Sequence, residues 1–408
     1  MTADAAIPDF PFDRPTALEP PPQFAELREK CPVAHVRLPS GDTATVVTRY
    51  DDARAVLADP RFSRNLAREG AARLSTTEDG GLFSRRREGS ASIGEGQDHM
   101  RWRRLLSGWF TARKMEVWRP RVQAMTDGLL DAMLAKGSPG NLSAGLGLPL
   151  PVRVICALIG APSEDQDKFA HWSRVMLTLT RYTQDEVDQA YREFTAYVSD
   201  LVDRNRADPG DDLLSELTQI TDAEDGRLSQ AELIATVRGL LLAGHETTSN
   251  MIAIMVAMLL ADRERYEAVI DDPELIQGTV EEVLRLDSTL SAIGGVPRFL
   301  TEDIELSGTK CPAGSTMIPI VPAANRDPDK FADPDRFDPR RGNSAQHLTF
   351  GAGKHYCLGQ PLARVELQVV LGTLIRRLPG LRLRDPADRL KLRTGGMSGG
   401  LQDVWVTW

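Results

Sequence analysis

The sequence is poor in cysteine and contains neither a close cysteine pair nor a C-x-x-C motif. Its four cysteines are spread along the chain at Cys31, Cys156, Cys311 and Cys357. A disulfide framework and a structural zinc site are therefore unfavoured, and a reducing compartment fits this usage best. No basic segment followed by an apolar one opens the sequence, so no signal peptide is expected. The longest apolar run, residues 251–260, is about half as long as a membrane-spanning helix. These absences predict a cytoplasmic protein that does not enter a membrane.

An excess of basic residues is lacking as well. The chain has 49 Lys and Arg against 58 Asp and Glu, which gives a net charge of -9. This balance does not favour nucleic acid or an anionic membrane as a partner. Apolar residues make up 41% and charged residues 26%, which is ordinary for a globular protein. With no internal repeat, we expect one large domain over residues 1–408, which begins with a proline-rich arm over 1–23.

The pattern that remains is mainly helical, with short strand-like pieces near the two ends. Residues 33–37 and 43–48 alternate as a strand pair. The helices predicted between residues 98 and 219 are 98–110, 115–136, 151–159, 163–180, 185–206 and 211–219. After residue 287 we expect strands at 294–299, 304–306 and 316–319, a meander over 325–341, a helix over 360–378 and a short β tail. The sequence therefore predicts a mainly α fold with small β-sheets at its edges.

Residues 64–98 are the least regular part of the sequence. Six glycines interrupt any periodicity there, and polar residues dominate. A long irregular segment in a compact protein is usually functional or mobile. Taken alone, this segment fits a functional loop and a disordered surface loop equally well.

One long helix is predicted to cross the interior. Ser229 and Glu232 form a capping box that opens a helix of about thirty residues, which extends to Ala261. The helix is apolar nearly all round, which is typical of a buried helix. Its middle nevertheless carries the polar segment Ala243-Gly244-His245-Glu246-Thr247-Thr248. Polar groups in a buried helix are costly unless they are satisfied or used.

The segment Phe350-Gly-Ala-Gly-Lys-His-Tyr-Cys-Leu-Gly359 surrounds one cysteine with glycines. Gly351 and Gly353 permit backbone conformations that other residues avoid. The predicted helix that starts near Gln360 directs free N–H groups at Cys357, which is expected to lower the pKa of its thiol. A lone cysteine is most often a small buried apolar residue. A thiolate held in such a loop suits the axial position of haem iron instead.

This loop resembles the haem-binding signature of the cytochrome P-450 family of haem-thiolate monooxygenases. The matching positions are Phe350, Gly351, Gly353, His355, Cys357 and Gly359. The resemblance runs along nearly the whole chain and is greatest to soluble bacterial members. It implies the family's fold as a single large domain, haem b as the cofactor and Cys357 as the iron ligand.

The resemblance also implies structural residues. Glu282 and Arg285 are three residues apart on a predicted helix and can pair, which on a surface would contribute at most about 1 kcal/mol. In the family, this Glu-x-x-Arg motif holds the meander through another arginine. Here Pro334-Asp335-Arg336-Phe337 resembles the family's Pro-Glu-Arg-Phe, so Arg336 is the expected third member. All three residues are expected to hold the cysteine loop in place.

Further residues resemble the family's haem contacts. His99 and Arg103 match its His-x-x-x-Arg, and with Arg298 and His355 they are expected to bind the haem propionates. Phe350, Gly351, Gly359, Ala243 and Gly244 are also expected to contact the cofactor. The family segment before the histidine usually reads Asp-Pro-Pro-Glu, whereas residues 96–98 here are Gly-Gln-Asp. The loop before that helix is therefore expected to follow a different course.

Residues 243–247 match the family's Ala-Gly-x-Asp/Glu-Thr. The Thr247 hydroxyl can bond to the Ala243 carbonyl, four residues earlier, and with Gly244 nearby open a groove for dioxygen. Glu246 and Thr247 then resemble the acid–alcohol pair that delivers protons during oxygen activation. A hydrated kink without function is the alternative for this segment.

The resemblance implies a monooxygenase that hydroxylates or epoxidises a hydrophobic small molecule of secondary metabolism. The expected substrate is a polyketide, peptide or terpenoid, either free or tethered to a carrier protein. The expected substrate contacts are Leu240, Ala243, Ile293 and Met397, within stretches that include 80–95 and 290–295. Electrons are expected from NAD(P)H through a ferredoxin and its reductase. The expected docking surface for this redox partner is basic and lies near Arg104, Arg113, Lys114 and Lys354. A monomer is expected. The alternatives are oxidative coupling or a peroxide-using enzyme, and a haem sensor without enzymatic activity.

Overall fold

The computed structural model describes residues 7–76, 94–219, 228–287, 293–397 and 399–408. Its helices are α1 (Gln23–Lys30), α2 (Tyr50–Ala58), α3 (Gly96–Ser107), α4 (Ala112–Leu134), α5 (Pro149–Ile159), α6 (Gln166–Met176), α7 (Gln184–Ala207), α8 (Leu213–Gln219), α9 (Gln230–Ala261), α10 (Arg263–Asp271), α11 (Ile276–Leu286), α12 (Val321–Ala324) and α13 (Gln360–Arg377). Its strands are β1 (Val33–Arg37), β2 (Thr43–Val47), β3 (Phe62–Ser63), β4 (Gly140–Asn141), β5 (Arg298–Leu300), β6 (Ile304–Leu306), β7 (Thr309–Cys311), β8 (Thr316–Pro319), β9 (Arg382–Leu383) and β10 (Trp405–Thr407). The predicted mainly α fold with small sheets is confirmed.

Helix α9 is the central element, as its sequence predicts. The Ser229 hydroxyl accepts the Glu232 backbone N–H, and the Glu232 carboxylate accepts the Ser229 backbone N–H, so the capping box forms. Every residue from 248 to 260 is buried. Helices α5, α7, α10 and α13 pack against α9 and enclose the largest hydrophobic core. The interior position of α9 explains why a sequence with apolar residues on all sides still forms a stable helix.

The strands form three small sheets at the edges of the helical body. The largest has the order β1-β2-β8-β5-β3, in which β2 and β8 are parallel and the other pairs antiparallel. The other two are β4-β10-β9 and the hairpin β6-β7. The proline-rich arm lies against this body, as expected for its described part: Phe10 N–H donates to the Arg37 carbonyl, and the Phe10 ring is buried.

Some predicted boundaries are wrong, each for a tertiary or backbone reason. The helix predicted over 163–180 ends at Met176, because Leu179 N–H bonds the Gly395 carbonyl of the tail instead. The strand predicted from residue 294 begins only at Arg298, directly after Pro297, which has no N–H to donate. Helix α10 and strand β7 were not predicted. Residues 77–93 of the irregular segment lie outside the described residues.

The chain after β9 is tied to the middle of α9. The Asn250 amide donates to the Gly399 carbonyl at 2.8 Å, and the Asn250 carbonyl oxygen accepts from Arg393 at 2.7 Å. Gly400 lies so close that a Cβ there would be 2.5 Å from the Asn250 side chain, and its φ is +107°. These contacts place the Arg393 side chain beside the polar segment of α9.

Candidate active site

Cys357 lies in a tightly turned loop just before α13. Gly351 and Gly353 have φ angles of +76° and +68°, as their predicted role requires. A Cβ on Gly353 would be 2.7 Å from Ala58 Cα of α2, so only glycine fits this approach. Within the loop, the Cys357 N–H donates to the Phe350 carbonyl at 2.8 Å. These constraints fix the position of the sulfur.

The prediction that the pKa of the Cys357 thiol is lowered is wrong for the chain by itself. Burial raises the pKa of the thiol and outweighs the N–H groups of Gly359 and Gln360 and the cationic side chain of Arg103, which all lower it. The helix start therefore acts in the predicted direction but is not strong enough alone. A bound metal cation would deprotonate the thiol outright. The sulfur faces an internal cavity, where such a cation could reach it.

This cavity has a volume of about 480 Å³ and separates the cysteine loop from α9. Thr247 and Ala243 line it from α9, and Cys357 and Phe350 line it from the loop. Its described wall between these elements is mostly apolar. The lining also contains one carboxyl, that of Glu366. Further lining residues include Leu57, Trp102, Phe110, Ile155, Leu240, Gly244, Met251, Leu284, Val296, Gly351, Leu358, Gly359 and Leu362.

Cationic and imidazole side chains meet at one end of the cavity. All four predicted propionate residues, His99, Arg103, Arg298 and His355, line it, together with Arg64. The His99 and His355 rings are 4.2 Å apart, and an Arg64 guanidinium nitrogen lies 3.4 Å from His355 Nδ1. The structure thus brings the predicted set together.

Among the described residues, the acidic side chain that acts on this group is Glu95. Burial and then the Arg64 charge lower the pKa of His99 to about 4 and that of His355 to about 3. Two buried nitrogens, His99 Nδ1 and Arg298 Nε, have no hydrogen-bond partner among the described residues. Burial also lowers the pKa of Arg298 to about 9. A buried cluster of this kind fits a ligand that carries carboxylates.

Arg64 was missed by the sequence reasoning. Its backbone N–H and the Ser63 hydroxyl both donate to the Glu95 carboxylate, which fixes the end of β3 against the start of α3. Glu95 is four residues before His99, where the family segment has its aspartate. That acidic residue before the histidine is the signal that could have pointed to a contact with residues 63–64.

Thr247 and Ala243 are arranged as predicted on the opposite wall. The Thr247 hydroxyl donates to the Ala243 carbonyl at 2.9 Å. Helix α9 is continuous through this bond. A Cβ on Gly244 would be 2.9 Å from Ile155 of α5, so this glycine serves close packing of two helices. The Thr247 side chain remains exposed to the cavity.

Glu246 is buried beside Thr247 and faces away from the lining. Burial raises the pKa of its carboxyl to about 7, although the charges of Arg393 and Arg174 lower it. One of its oxygens has no hydrogen-bond partner among the described residues. The carboxyl can therefore hold and release a proton near neutral pH.

The predicted brace exists, but with a different third arginine. Arg285 binds both carboxylate oxygens of Glu282 at 2.7 and 2.9 Å, and both side chains are fully buried. The side chain that joins this pair is Arg341, whose Nε lies 3.2 Å from Glu282. Arg336 contributes only its backbone carbonyl, an acceptor for Arg285, and its side chain is exposed. The expectation for the Arg336 side chain is therefore wrong, since the irregular meander turns Arg341 inward instead.

A second carboxylate holds the cysteine loop more directly and was also missed. Glu281 binds Arg364 of α13 through both oxygens, at 2.6 and 3.0 Å, and lies 3.3 Å from His347 Nε2. Burial raises the pKa of Glu281, but the bonds from His347 and Arg364 more than offset it and lower it to about 2. Nothing in the sequence beyond adjacency to Glu282 indicated this role.

Two of the four expected substrate contacts line the cavity and two do not. Leu240 and Ala243 line it. Ile293 is buried in a neighbouring hydrophobic cluster, against which Met397 packs. Met397 is held there because its N–H donates to the Leu177 carbonyl at 2.7 Å. Residues 80–93 and 290–292 of the expected substrate stretches lie outside the described residues.

The described residues contain no cluster of three or more histidine, cysteine or acidic side chains that could hold a metal ion. They also contain no helix that is long and apolar enough to cross a membrane.

The chain is similar over its whole length to characterised enzymes. It is 41% identical over 401 residues to the mycinamicin IV hydroxylase/epoxidase of Micromonospora griseorubida, with 98% of each chain covered. It is 40% identical over 403 residues to the nocardicin C N-oxygenase of Nocardia uniformis subsp. tsuyamanensis, again with 98% of each covered. The pentalenic acid synthase of Streptomyces avermitilis is 40% identical over 409 residues, which cover 100% of this chain and 99% of the synthase.

Solved structures and a family model agree with these relatives. The structure of SgvP, a putative thioether synthase involved in the tailoring step of griseoviridin, superposes with a TM-score of 0.91 at 39% identity. The match covers 99% of this chain and 100% of SgvP. The cytochrome P-450 family model matches residues 152–392, more than half of the chain.

The residues of the cavity fit haem b, the cofactor of this family. The Cys357 thiol lines the cavity and suits an iron ligand. The cationic cluster that also lines it, in which His99 Nδ1 and Arg298 Nε have no hydrogen-bond partner among the described residues, suits two propionates. The chain therefore belongs to the cytochrome P-450 family and is a haem b monooxygenase that uses O2 and electrons from NAD(P)H delivered through partner proteins.

Proposed function

We propose that this monooxygenase hydroxylates or epoxidises a neutral, hydrophobic small molecule of secondary metabolism, with Cys357 as the iron ligand. The observation that carries the proposal is that one cavity is lined both by Cys357 and by Thr247, whose hydroxyl bonds the Ala243 carbonyl. When bound there, haem b supplies the chemistry that activates O2. The chain supplies the ligand, the proton path and the shape of the substrate space.

The cationic end of the cavity would orient the cofactor. His99, Arg103, Arg298 and His355 would hold the propionates, with Arg64 as a further cation. Neutral histidines, which the lowered pKa values favour, would donate ring N–H groups, and the arginines would supply charge. Residues of the cysteine loop and of α9 would contact the ring faces: Phe350, Gly351, Gly359, Ala243 and Gly244.

Glu246 and Thr247 would move protons on the α9 side. Because its pKa is raised to about 7, Glu246 is partly protonated at neutral pH and can release a proton. Thr247 presents its hydroxyl to the cavity and can pass a proton to the oxygen side of the site. Arg393 and Arg174 limit how far the Glu246 pKa rises, so the carboxyl can also ionise again.

The substrate class rests on the wall of the cavity and on the relatives. The α9 residues that line the cavity are apolar residues, glycines and threonines, including Leu240, Thr236 and Met251. Such a wall favours an uncharged, largely apolar ligand. The relatives include a mycinamicin IV hydroxylase/epoxidase and a pentalenic acid synthase, which supports a polyketide or terpenoid intermediate.

A ferredoxin and its reductase would deliver the electrons in the cytoplasm, to a monomeric enzyme. Arg104, Arg113, Lys114 and Lys354 are exposed, and Lys354 precedes Cys357 by only three residues. A basic surface near the sulfur favours an acidic iron–sulfur partner. Electron transfer from such a ferredoxin is expected to slow as the ionic strength rises.

The test uses the purified haem-containing enzyme. Its reduced carbon monoxide complex should show the red-shifted Soret band from which the family takes its name, and Cys357→Ser should abolish that band. Cys31→Ser is the matched control and should leave it unchanged. With NAD(P)H, a surrogate ferredoxin and reductase, and isotopically labelled O2, the product should contain one labelled oxygen atom. A Cys357→Ser variant that keeps the band would refute the ligand assignment, and unlabelled or coupled products would refute the monooxygenase reaction.

A further inference from the structure

Glu281 and Arg364 form a buried ion pair under the cysteine loop. The side chain of Glu281 is 8% exposed and that of Arg364 19%. The two charges share two hydrogen bonds, at 2.6 and 3.0 Å, which is the bidentate geometry of strong pairs. His347 completes the arrangement: its Nδ1 accepts the Thr349 N–H, and its Nε2 lies 3.3 Å from the Glu281 carboxylate.

Both partners of Glu281 also contact the ring of Phe350. The Arg364 guanidinium carbon lies 4.6 Å from the ring centroid, within the range of a cation–π contact. The His347 ring centroid lies 5.5 Å from that of Phe350. The Phe350 carbonyl in turn accepts the Cys357 N–H. A chain of contacts thus leads from Glu281 through Arg364 and Phe350 to the cysteine.

Arg364 also places a positive charge beside the cysteine loop, against the ring of Phe350. The hydrogen bonds to Glu281 keep the guanidinium in place and partly neutralise it. Arg364 and Glu281 therefore form a dipole whose positive end lies toward the loop.

We propose that the Glu281–Arg364 pair sets how readily the haem iron held by Cys357 accepts its first electron, which makes Arg364 a positioning and tuning residue. The inference rests on Cys357 being the iron ligand, as proposed above. One electron, supplied by the NAD(P)H-dependent partners, converts ferric to ferrous iron, and the haem–thiolate unit gains one negative charge. A nearby cation stabilises that added charge and a nearby anion opposes it.

Removing one charge or the other should therefore shift the ferric–ferrous equilibrium in opposite directions. Arg364→Gln removes the cation, and we expect the ferric form to be favoured by about tenfold, equivalent to about 59 mV for a one-electron couple. Glu281→Gln removes the anion but keeps the size and a hydrogen-bond acceptor, and we expect a shift toward the ferrous form. The double variant should lie between the two. Dithionite titration followed by absorption spectroscopy, with mediators and without substrate, measures each equilibrium.

Two further variants separate charge from folding and from general charge loss. Arg376→Gln removes an exposed arginine from the same helix, 4.0 Å from Asp127, and should leave the equilibrium at the wild-type value. Arg364→Lys keeps the charge but not the planar contact, and should remain within about threefold of wild type if charge is decisive. If Arg364→Gln does not retain haem, the Glu281→Gln variant decides: a shift toward the ferrous form supports the proposal, and no shift or a shift toward the ferric form overturns it.

These measurements distinguish failure of the tuning role from failure of the Cys357 ligand assignment. Opposite shifts in Arg364→Gln and Glu281→Gln, with the thiolate Soret band of the carbon monoxide complex kept, support the tuning role. Shifts of the same sign, or no shift, overturn it, because loss of structure would move both variants in one direction. A wild-type enzyme without that Soret band would instead overturn the ligand assignment.

Discussion

Replacing Gly278 by alanine tests the contact between α11 and the meander. This contact lies next to the buried ion pairs of Glu282. Gly278 packs against the backbone of Pro339 so closely that a Cβ would lie 1.8 Å from its carbonyl oxygen. Real Cβ contacts are essentially never shorter than 3.0 Å, so the two segments would have to separate by about 1.2 Å or more. Backbone atoms of a proline cannot rotate out of the way as a side chain would.

That separation would reach the buried ion pair one helical turn away. The Asp338 N–H, adjacent to Pro339, donates to Glu282 at 2.9 Å, and Arg341 of the same segment lies 3.2 Å from Glu282. A movement of this size would break the hydrogen bond and the Glu282–Arg341 ion pair. Disrupting a buried ion pair costs about 3–5 kcal/mol, whereas replacing glycine by alanine in a helix gains at most about 1 kcal/mol. We therefore expect Gly278→Ala to lower the free energy of unfolding by about 2–4 kcal/mol.

The assay is urea unfolding followed by far-UV circular dichroism and by loss of the haem Soret absorbance. Gly128→Ala is the matched control, because Gly128 lies inside α4 and a Cβ there has no atom within 4 Å. That control should be as stable as wild type or slightly more stable. If Gly278→Ala unfolds at the same urea concentration as Gly128→Ala, the proposed coupling between the α11–meander contact and the Glu282 network is refuted.

Three other changes test the site. Thr247→Ala removes the hydroxyl that bonds the Ala243 carbonyl; the carbon monoxide complex should be unaffected, while product per NAD(P)H falls about tenfold or more and hydrogen peroxide rises. Unchanged coupling would contradict this. The pKa of Glu281 is about 2 in the folded protein and 4.5 in the unfolded chain. Above pH 4.5 the ionised carboxylate therefore stabilises the fold by about 3 kcal/mol. That contribution is lost as the pH falls toward 2. The difference in unfolding free energy between wild type and Glu281→Gln should therefore shrink on acidification, and a constant difference would contradict the assignment. Arg64→Gln should release haem to apomyoglobin at least about tenfold faster than Arg61→Gln, whose arginine pairs with Asp59 at the surface; equal rates would exclude a propionate contact.

Features set by local rules could be predicted from the sequence. The capping box at Ser229 and the positive φ angles of Gly351 and Gly353 each depend on a few neighbouring residues. The Thr247 bond to Ala243 follows from a side chain that reaches back one helical turn. The motif around Cys357 could be recognised for the same reason, since its contacts lie within ten residues.

Features set by tertiary packing could not be predicted. Arg336 and Arg341 are five residues apart in a meander without periodicity, so no pattern indicates which side chain turns inward. Ile293 and Met397 were expected at the substrate site from their positions in the sequence, but they pack into another hydrophobic cluster. The pKa of Cys357 depends on a balance between burial and helix N–H groups, and burial is visible only in the fold.

The adjacent glutamates of α11 show how one helix supports both the meander and the cysteine loop. Successive helix residues point about 100° apart, so Glu281 and Glu282 must face different neighbours. Glu282 is fully buried and binds Arg285, Arg341 and the meander backbone, and its loss leaves two buried cations without their anion. Glu281 instead lies against Arg364 of α13 and His347, which both contact the Phe350 ring of the cysteine loop. Neutralising Glu282 should therefore unfold the protein, whereas neutralising Glu281 should leave it folded and change the ferric–ferrous equilibrium. The Glu-x-x-Arg motif identifies only the first of these roles, because Arg285 lies on the Glu282 face and the partners of Glu281 come from distant parts of the chain.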